Sequence, residues 1–262
     1  MGLAEDLAKQ YGVEFGEAPS YSEIMERFGE EVSTNKAVEV TNTLQRQCSD
    51  LVAFGGVTGS KYVWGARPSR DTTRDLDFVS DPRTAAEFAG DCSESWLYEG
   101  IVVSVVEYDG EDWMIGNLPC ATECFHSEHM KPFSVDPVEV LEPEIVNTPY
   151  GDIATVSAAA CASSKFRRYI QNRLERGSYK EGDLVDVCNI FMADSEADCE
   201  TDIDRTEFKR RCQEIRGQGI ETDEVYDDML NSIQGSSAEI YEGEFKDLWS
   251  KTLEPALNGA LD

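Results

Sequence analysis

The chain has 262 residues, which suits one large domain or a core with a smaller lobe and is ample for a buried core. Its 52 Asp and Glu residues outnumber 23 Lys and Arg residues, giving a net charge of -29. This charge argues against broad nucleic-acid binding, which needs a positive surface. The sequence contains no apolar run near the roughly 20 residues of a membrane span, and its acidic N-terminus lacks a signal-peptide pattern. We therefore expect a globular, cytoplasmic protein.

The acidic residues are spread along the whole chain and form no tail. Two explanations are open: a well-solubilised mesophilic protein, or a salt-adapted one such as halophilic archaea make. Self-repulsion of this size is costly in dilute salt and is screened in concentrated salt. The charge favours the salt-adapted, halophilic interpretation.

The predicted elements begin with two helices, over residues 2–11 and 20–48, where apolar residues recur at helical spacing. "LVAFGG" then predicts a short buried strand that ends in a tight glycine turn, and "DLDFVS" predicts a second strand. "GIVVSVVEYDGEDWMIGN" predicts a hairpin that turns at Asp109-Gly110. "FSVDPVEVLEP" predicts a strand that carries Asp136, and "YGDIATVS" a brief strand or turn.

Helical patterns dominate after residue 157. The predicted fold class is therefore α/β (α+β): an N-terminal α/β core with a small mixed sheet, followed by a helical C-terminal lobe. The predicted domains are residues 1–157, which include the N-terminal helices, and residues 158–262.

One pair of acidic residues has a context that most pairs in this chain lack. About a fifth of the residues are Asp or Glu, so about ten pairs separated by one residue are expected by chance. Asp75 and Asp77, however, alternate with Leu76 and Phe78 on a predicted strand. Alternate strand residues share a face, so the two carboxylates would point together into a cleft while the apolar residues enter the core. Two adjacent carboxylates repel and favour a cation such as Mg²⁺ between them.

Two further features fit phosphate and metal chemistry. Asp136 would supply a third carboxylate from an adjacent strand, with Glu139 as the reserve choice. Gly55 and Gly56 would let the backbone approach a phosphate closely, since they carry no side chain. Carboxylates around metal ions, together with a phosphate-binding turn, are typical of phosphoryl or nucleotidyl transfer.

The sequence around Gly55, Gly56, Asp75 and Asp77 resembles the nucleotidyltransferase superfamily related to DNA polymerase β, and within it most closely the AbiEii toxin family of type IV toxin–antitoxin systems. The resemblance covers roughly residues 50–191. The first matching residues are Gly55, Gly56, Thr73, Asp75, Leu76, Asp77, Phe78 and Asp136; those on the helical follow-on are Lys165, Arg173, Asp183 and Asp186. Three positions depart from the family pattern: Val57 precedes the expected Thr at Thr58, Arg70 is one position out of register, and Gly182 replaces a basic residue.

The resemblance implies a polymerase-β-like core and transfer of a nucleotide from an NTP to an RNA (tRNA-like) or protein acceptor, with Mg²⁺ or Mn²⁺ as cofactor. By analogy, Asp75 and Asp77 would hold metal and triphosphate, and Asp136 would be a metal ligand that helps activate the acceptor hydroxyl. An antitoxin protein would be a partner. The alternatives are an antibiotic or housekeeping nucleotidyltransferase, and a non-catalytic domain of the same fold that binds a partner.

The resemblance also implies nucleotide-binding roles for Gly55, Gly56, Thr58, Lys165 and Asp183. For Lys165 and Asp183 a surface or interlobe salt bridge is an equal alternative.

Asp186 is expected on a helix surface. Residues 165–176 form a local basic patch that could contact an RNA acceptor, although a helix with solvated arginines is the simpler interpretation.

Both histidines of the chain lie in "CATECFHSEHM", close to two cysteines. Cys120, Cys124, His126 and His129 are ligand types that suit Zn²⁺. Four ligands on one tight loop converge only with strain, so three ligands or a partial site is the stronger zinc hypothesis. The alternative is a polar connecting loop.

Overall fold

The computed structural model describes residues 3–55, 57, 72–73, 76–98, 101–119, 143–156, 158–196, 220–236 and 240–258. These residues group into two compact units. The first contains the described residues up to Val156, and the second contains those from residue 158 onward.

Seven strands form one mixed sheet in the described part of the first unit. In sheet order they are β5 (Glu94–Tyr98), β6 (Ile101–Tyr108), β7 (Glu111–Pro119), β4 (Leu76–Ser80), β2 (Val52–Phe54), β9 (Gly151–Thr155) and β8 (Glu144–Thr148). β4 runs parallel to β7, β2 runs parallel to β9, and the other neighbours are antiparallel. A separate pair joins β1 (Val32–Ser33) to β3 (Thr72–Thr73). The predicted α/β class with a mixed sheet is confirmed.

The predicted hairpin is present and turns where the sequence indicates. Asp109 and Gly110 have φ values of 54° and 80°, so both central residues lie in the left-handed region. This conformation is that of a type I′ turn, whose twist matches the flanking strands β6 and β7. The turn therefore sets the register in which Tyr108 pairs with Glu111.

In the described part of the first unit, four helices accompany the sheet: α1 (Leu3–Tyr11), α2 (Tyr21–Phe28), α3 (Thr34–Gln47) and α4 (Pro82–Asp91). The single helix predicted over residues 20–48 is wrong, because α2 ends before Gly29 and α3 begins after a new cap at Ser33. The Ser33 hydroxyl accepts a hydrogen bond from the Lys36 backbone N–H, which is how serine starts a helix. Asp81 caps α4 in the same way, immediately after β4.

Apolar residues cover both faces of the β5–β7 part of the sheet. Val102 packs in a cluster with Leu7 of α1 and Ala85 of α4, whereas its neighbour Val103 packs with Phe28 of α2 and Trp96 of β5. Successive strand residues point to opposite faces, so these are two cores on opposite sides of the sheet.

The second unit is helical in its described part. Its elements are α5 (Ala158–Arg176), α6 (Glu181–Glu196), α7 (Thr222–Gln234), α8 (Glu242–Leu248), a π-helical segment (Trp249–Leu253) and α9 (Glu254–Asn258). α6 packs against α5, α7 and α8, and it is buried on every side from Asp183 to Met192. Among the described residues, no helix combines the length and apolar character needed to span a membrane.

Candidate active site

Asp77 lies on β4, inside the seven-stranded sheet, between β2 and β7. Its register partners are Phe54 on β2 and Gly116 on β7. Leu76 and Phe78 are only 0% and 1% exposed, whereas Asp77 is partly exposed. The strand therefore buries the two apolar residues on one face and presents the Asp77 side chain on the other.

Two glycines flank the Asp77 carboxylate. A Cβ atom at Gly55 would lie 2.3 Å from Oδ2 of Asp77, and one at Gly116 would lie 2.8 Å from Oδ1. Both distances are below 3.0 Å, which Cβ contacts in proteins essentially never reach. The carboxylate thus occupies space that any other residue at either position would fill, with one oxygen toward each neighbouring strand.

Gly55 follows β2 directly and has a φ of 70°, which non-glycine residues seldom adopt. The predicted glycine turn after "LVAF" is therefore present at its first residue. Gly56 and Thr58 lie outside the described residues, whereas Val57 is described and is fully buried.

Several predicted site residues lie outside the part of the chain that the structure describes. Among the carboxylates these are Asp75, Asp136 and the reserve residue Glu139, and the possible zinc ligands Cys120, Cys124, His126 and His129 are also outside. Their roles stay predictions. Within the described residues, no group of three or more His, Cys, Asp or Glu side chains could hold a metal ion. Of the predicted carboxylate ligands Asp75, Asp77 and Asp136, Asp77 is the one that the structure describes. Its donor chemistry fits the predicted metal, since carboxylate oxygen is the ligand that Mg²⁺ prefers.

A second set of charged residues lies inside the helical unit. Lys165 of α5 is 4% exposed, and its Nζ donates to Oδ2 of Asp186 on α6 at 2.5 Å. Asp183, fully buried one turn earlier on α6, accepts two hydrogen bonds from the Arg168 guanidinium, the one from Nε at 2.7 Å. The Lys165 Nζ also lies 4.0 Å from Oδ1 of Asp183. These two cations and two carboxylates thus pair with one another; Lys165, Asp183 and Asp186 are buried, whereas the Arg168 side chain is 30% exposed.

This cluster corrects two sequence interpretations. Asp186 is 3% exposed, so the expected position on a helix surface is wrong. The ion pairs that the structure describes for Lys165 and Asp183 are buried and join α5 to α6 within the second unit, so these pairs are not surface or interlobe salt bridges. Buried charges need paired, hydrogen-bonded partners, and Arg168 and Asp186 supply them here.

In the predicted basic patch over residues 165–176, most of the cations whose side chains the structure describes are paired within the protein. Nε of Arg173 lies 2.7 Å from Oδ2 of Asp228 on α7. This contact is an ion pair, but its geometry is not that of a hydrogen bond. Lys165 and Arg168 are held by α6 as described, and Arg176 is exposed. Most of the described cations of this helix therefore pair with carboxylates of neighbouring helices and do not form a continuous basic surface for RNA.

Tyr169 shares the Asp228 carboxylate with Arg173. Its hydroxyl donates to Oδ2 of Asp228 at 2.7 Å, and Tyr179 packs edge-on against its ring. Burial, and next the hydrogen bond to the carboxylate, raise the pKa of Tyr169 well above its usual value. Burial likewise raises the pKa of the Cys188 thiol to about 12, so this cysteine is not a nucleophile at neutral pH.

Three residues that matter here were not predicted: Gly116, Arg168 as the partner of Asp183, and Asp228. A glycine inside a strand pattern signals close approach of another group, so "MIGN" did carry a signal for Gly116. The ion-pair partners come from different helices, and no local spacing reveals them.

The described residues define an α/β protein with a seven-stranded mixed sheet and a helical second unit. No protein-family model matches the sequence, and no curated protein matches it either. Among solved structures, the chain is similar to the crystal structure of an antigenic nucleotidyltransferase-like protein from Paracoccidioides brasiliensis. The two share 11% identity at a TM-score of 0.42, over 77% of this chain and 95% of that one. A likeness at this level carries no argument about function, which therefore depends on the residues of the site.

Proposed function

We propose that the protein is a nucleotidyltransferase that moves a nucleotide from an NTP to an RNA or protein acceptor with release of pyrophosphate, and that it uses Mg²⁺ or Mn²⁺. The observation that carries the proposal is the Asp77 carboxylate, held between Gly55 and Gly116 on an inner strand of the sheet. It belongs to the sequence Asp75-Leu76-Asp77-Phe78, which follows the pair Gly55-Gly56.

Asp77 is in a position to bind a cation. Its side chain lies on the partly exposed face of β4, and the flanking glycines leave the carboxylate the space it occupies. In the proposal, Asp75 and Asp136 complete the set of oxygen ligands. A divalent cation bound there would neutralise the negative charge that develops on the phosphates during transfer.

Gly55 would serve the phosphates. Its left-handed backbone turns the chain sharply after β2, and the absence of a side chain lets backbone N–H groups approach an anion. Gly56 and Thr58 would extend this turn. The Asp136 carboxylate would accept the proton of the acceptor hydroxyl, because a general base must lie within hydrogen-bond reach of the proton it removes.

Lys165 and Asp183 remain predicted nucleotide contacts, but their surroundings favour a structural role. Lys165 donates to Asp186 in a buried pair, and Asp183 accepts from Arg168. Either residue would have to leave its ion pair to contact a triphosphate. Breaking a buried ion pair costs about 3–5 kcal/mol.

The biological role that we propose is that of an AbiEii-type toxin neutralised by an antitoxin protein, in a salt-adapted cytoplasm. The net charge of -29 supports the salt adaptation, and the motif residues support the toxin family. The pairing of the helical cations gives no preference to RNA over a protein hydroxyl as acceptor.

The test is label transfer in concentrated KCl. The protein would be incubated with each of the four α-labelled NTPs, with Mg²⁺ or Mn²⁺, and with total RNA or total protein of a salt-adapted cell. We expect label transfer by the parent and about 10²–10³-fold slower transfer by Asp77→Asn. Asp152→Asn is the matched control, since it makes the same change on strand β9 of the same sheet and should transfer label like the parent.

Two outcomes would contradict the proposal. Equal label transfer by the parent and Asp77→Asn would remove Asp77 from the chemistry. Absence of transfer from every NTP to either acceptor class would favour the alternative, a non-catalytic domain that binds a partner. Toxicity on expression that Asp77→Asn abolishes would support the toxin role, and equal toxicity would count against it.

A further inference from the structure

We propose that Gly116 is a positioning residue of this site: its missing side chain leaves the space that holds the Asp77 carboxylate in its cation-binding orientation. The inference rests on the proposed function and extends it to a strand that no motif marks.

The backbone gives no reason for glycine at position 116. Gly55 needs glycine because its φ is 70°, but Gly116 is not among the described residues with a positive φ. It lies inside β7, where it pairs with Asp77 on one side and Val103 on the other. Glycine weakens a strand interior, since it has no side chain to pack and loses more entropy on ordering. Something other than backbone conformation therefore accounts for it.

The neighbouring side chains supply that reason. A Cβ at position 116 would lie 2.8 Å from Oδ1 of Asp77, which is a clash, and 3.6 Å from the Ile101 side chain, which is an ordinary contact. Ile101 would accept the added atom, whereas the carboxylate would have to move. The glycine is thus explained by Asp77 alone.

The Asp77 carboxylate also has a close neighbour on its other side. Its other oxygen, Oδ2, already lies against Gly55, so a methyl group at position 116 would push the side chain out of the space between the two strands. Sites that bind a cation or catalyse a reaction tolerate displacements of only about 0.5 Å. We therefore expect Gly116→Ala to leave the fold intact and to weaken cation binding about tenfold, at the lower end of the effect of changing a residue that orients a metal ligand.

The first measurement is Mn²⁺ binding, followed by electron paramagnetic resonance of free Mn²⁺ in concentrated KCl. The parent, Gly116→Ala and Gly90→Ala would be titrated side by side. Gly90, on helix α4, is the control because the contact that a Cβ there would make is an ordinary one of 3.7 Å with Val13 and does not involve Asp77. We expect a Kd about ten times higher for Gly116→Ala and an unchanged Kd for Gly90→Ala.

The second measurement separates this inference from the proposed function. Urea unfolding midpoints would be compared for Gly116→Ala in the parent and in an Asp77→Ala background. If the clash is with Asp77, the substitution lowers the midpoint in the parent and leaves it equal or higher in Asp77→Ala. An equal loss in both backgrounds would overturn the inference, as would equal Mn²⁺ affinity of the parent and Gly116→Ala. A parent that binds no Mn²⁺ would overturn the cation-binding proposal itself, and the positioning role with it.

Discussion

Asp77 in the sheet and the pair Asp183 and Asp186 in the helices are carboxylates that the same sequence resemblance selects, yet their surroundings are opposite. Asp77 is partly exposed and lies between two glycines. Asp183 and Asp186 are 0% and 3% exposed, and each is bound to a cation of α5.

The difference shows what a carboxylate needs for each task. A carboxylate that binds an exchangeable cation has to remain accessible to solvent, as Asp77 in part is. A carboxylate that holds two helices together has to be buried with a fixed partner, because burial strengthens the pair and makes an unpaired charge costly. A shared motif is therefore weaker support for catalysis than the surroundings of each residue.

The largest expected effect comes from breaking the buried pair. Asp186→Ala leaves the Lys165 ammonium, 4% exposed, without its closest partner. We expect a loss of about 3–5 kcal/mol in the free energy of unfolding, measured by urea denaturation. The double variant Lys165→Met with Asp186→Leu replaces the pair by apolar groups and should lie near the parent. A loss below about 1 kcal/mol for Asp186→Ala would show that the pair does not act as a buried ion pair.

The next prediction separates activity from stability at the two places. Asp77→Asn should lower turnover about 10²–10³-fold, which is the usual effect of removing one group that stabilises transition-state charge. Its free energy of unfolding should change less than that of Asp186→Asn, because Asp77 is partly exposed and the change is isosteric. Asp186→Asn should show the reverse pattern in the same two assays. If Asp186→Asn abolished turnover at unchanged stability, the helical carboxylates would belong to the active site after all.

A third prediction concerns pH and the Tyr169–Asp228 contact between α5 and α7. The folded state raises the pKa of Tyr169, first by burial, so the hydroxyl keeps its proton where the unfolded chain loses it, from about pH 10. The unfolded state then binds fewer protons, and the free energy of unfolding falls as pH rises through 10. Tyr169→Phe should cost about 1–2 kcal/mol at pH 8 and flatten this decline. Urea midpoints at pH 8 to 11 measure both effects, and an equally steep decline in Tyr169→Phe would contradict the assignment.

The parts of the fold that sequence predicted are those with local signals. The hairpin follows from Asp109-Gly110, whose two positive φ values need residues of this kind. The end of β2 follows from Gly55 in the same way. β5 and β8 were missed because a short strand is stabilised by its sheet neighbours, which the sequence does not display. The break between α2 and α3 did have a local signal at Ser33, but the continuing apolar spacing obscured it.

The site shows the same limit. Asp77 was predicted because glycine, spacing and alternation coincide within one stretch of sequence. Gly116 comes from a strand beyond the hairpin turn, and its role depends on the register that places it beside Asp77. Asp186 was expected at a helix surface, whereas α6 is enclosed by other helices, and Asp183 and Asp186 bind cations of α5. The burial of a charged side chain and its ion-pair partners depend on elements that are distant in sequence, so the local sequence pattern does not predict them.

The smallest expected effect tests whether exposed ion pairs differ from buried ones in their response to salt. Arg27 of α2 donates to Glu94 of β5 at 2.6 Å and to Asp112 of β7 at 2.8 Å, but these side chains are 40% to 44% exposed. Solvent screening limits such a pair, so Arg27→Ala should cost only about 0.5–1 kcal/mol in 0.1 M KCl. In 2 M KCl the Debye length is under about 3 Å, and the cost should nearly disappear. The cost of Asp186→Ala should persist, because salt does not enter the helical interior. Urea denaturation of both variants at the two salt concentrations measures the contrast, and equal salt dependence would mean that the Lys165–Asp186 pair is open to solvent.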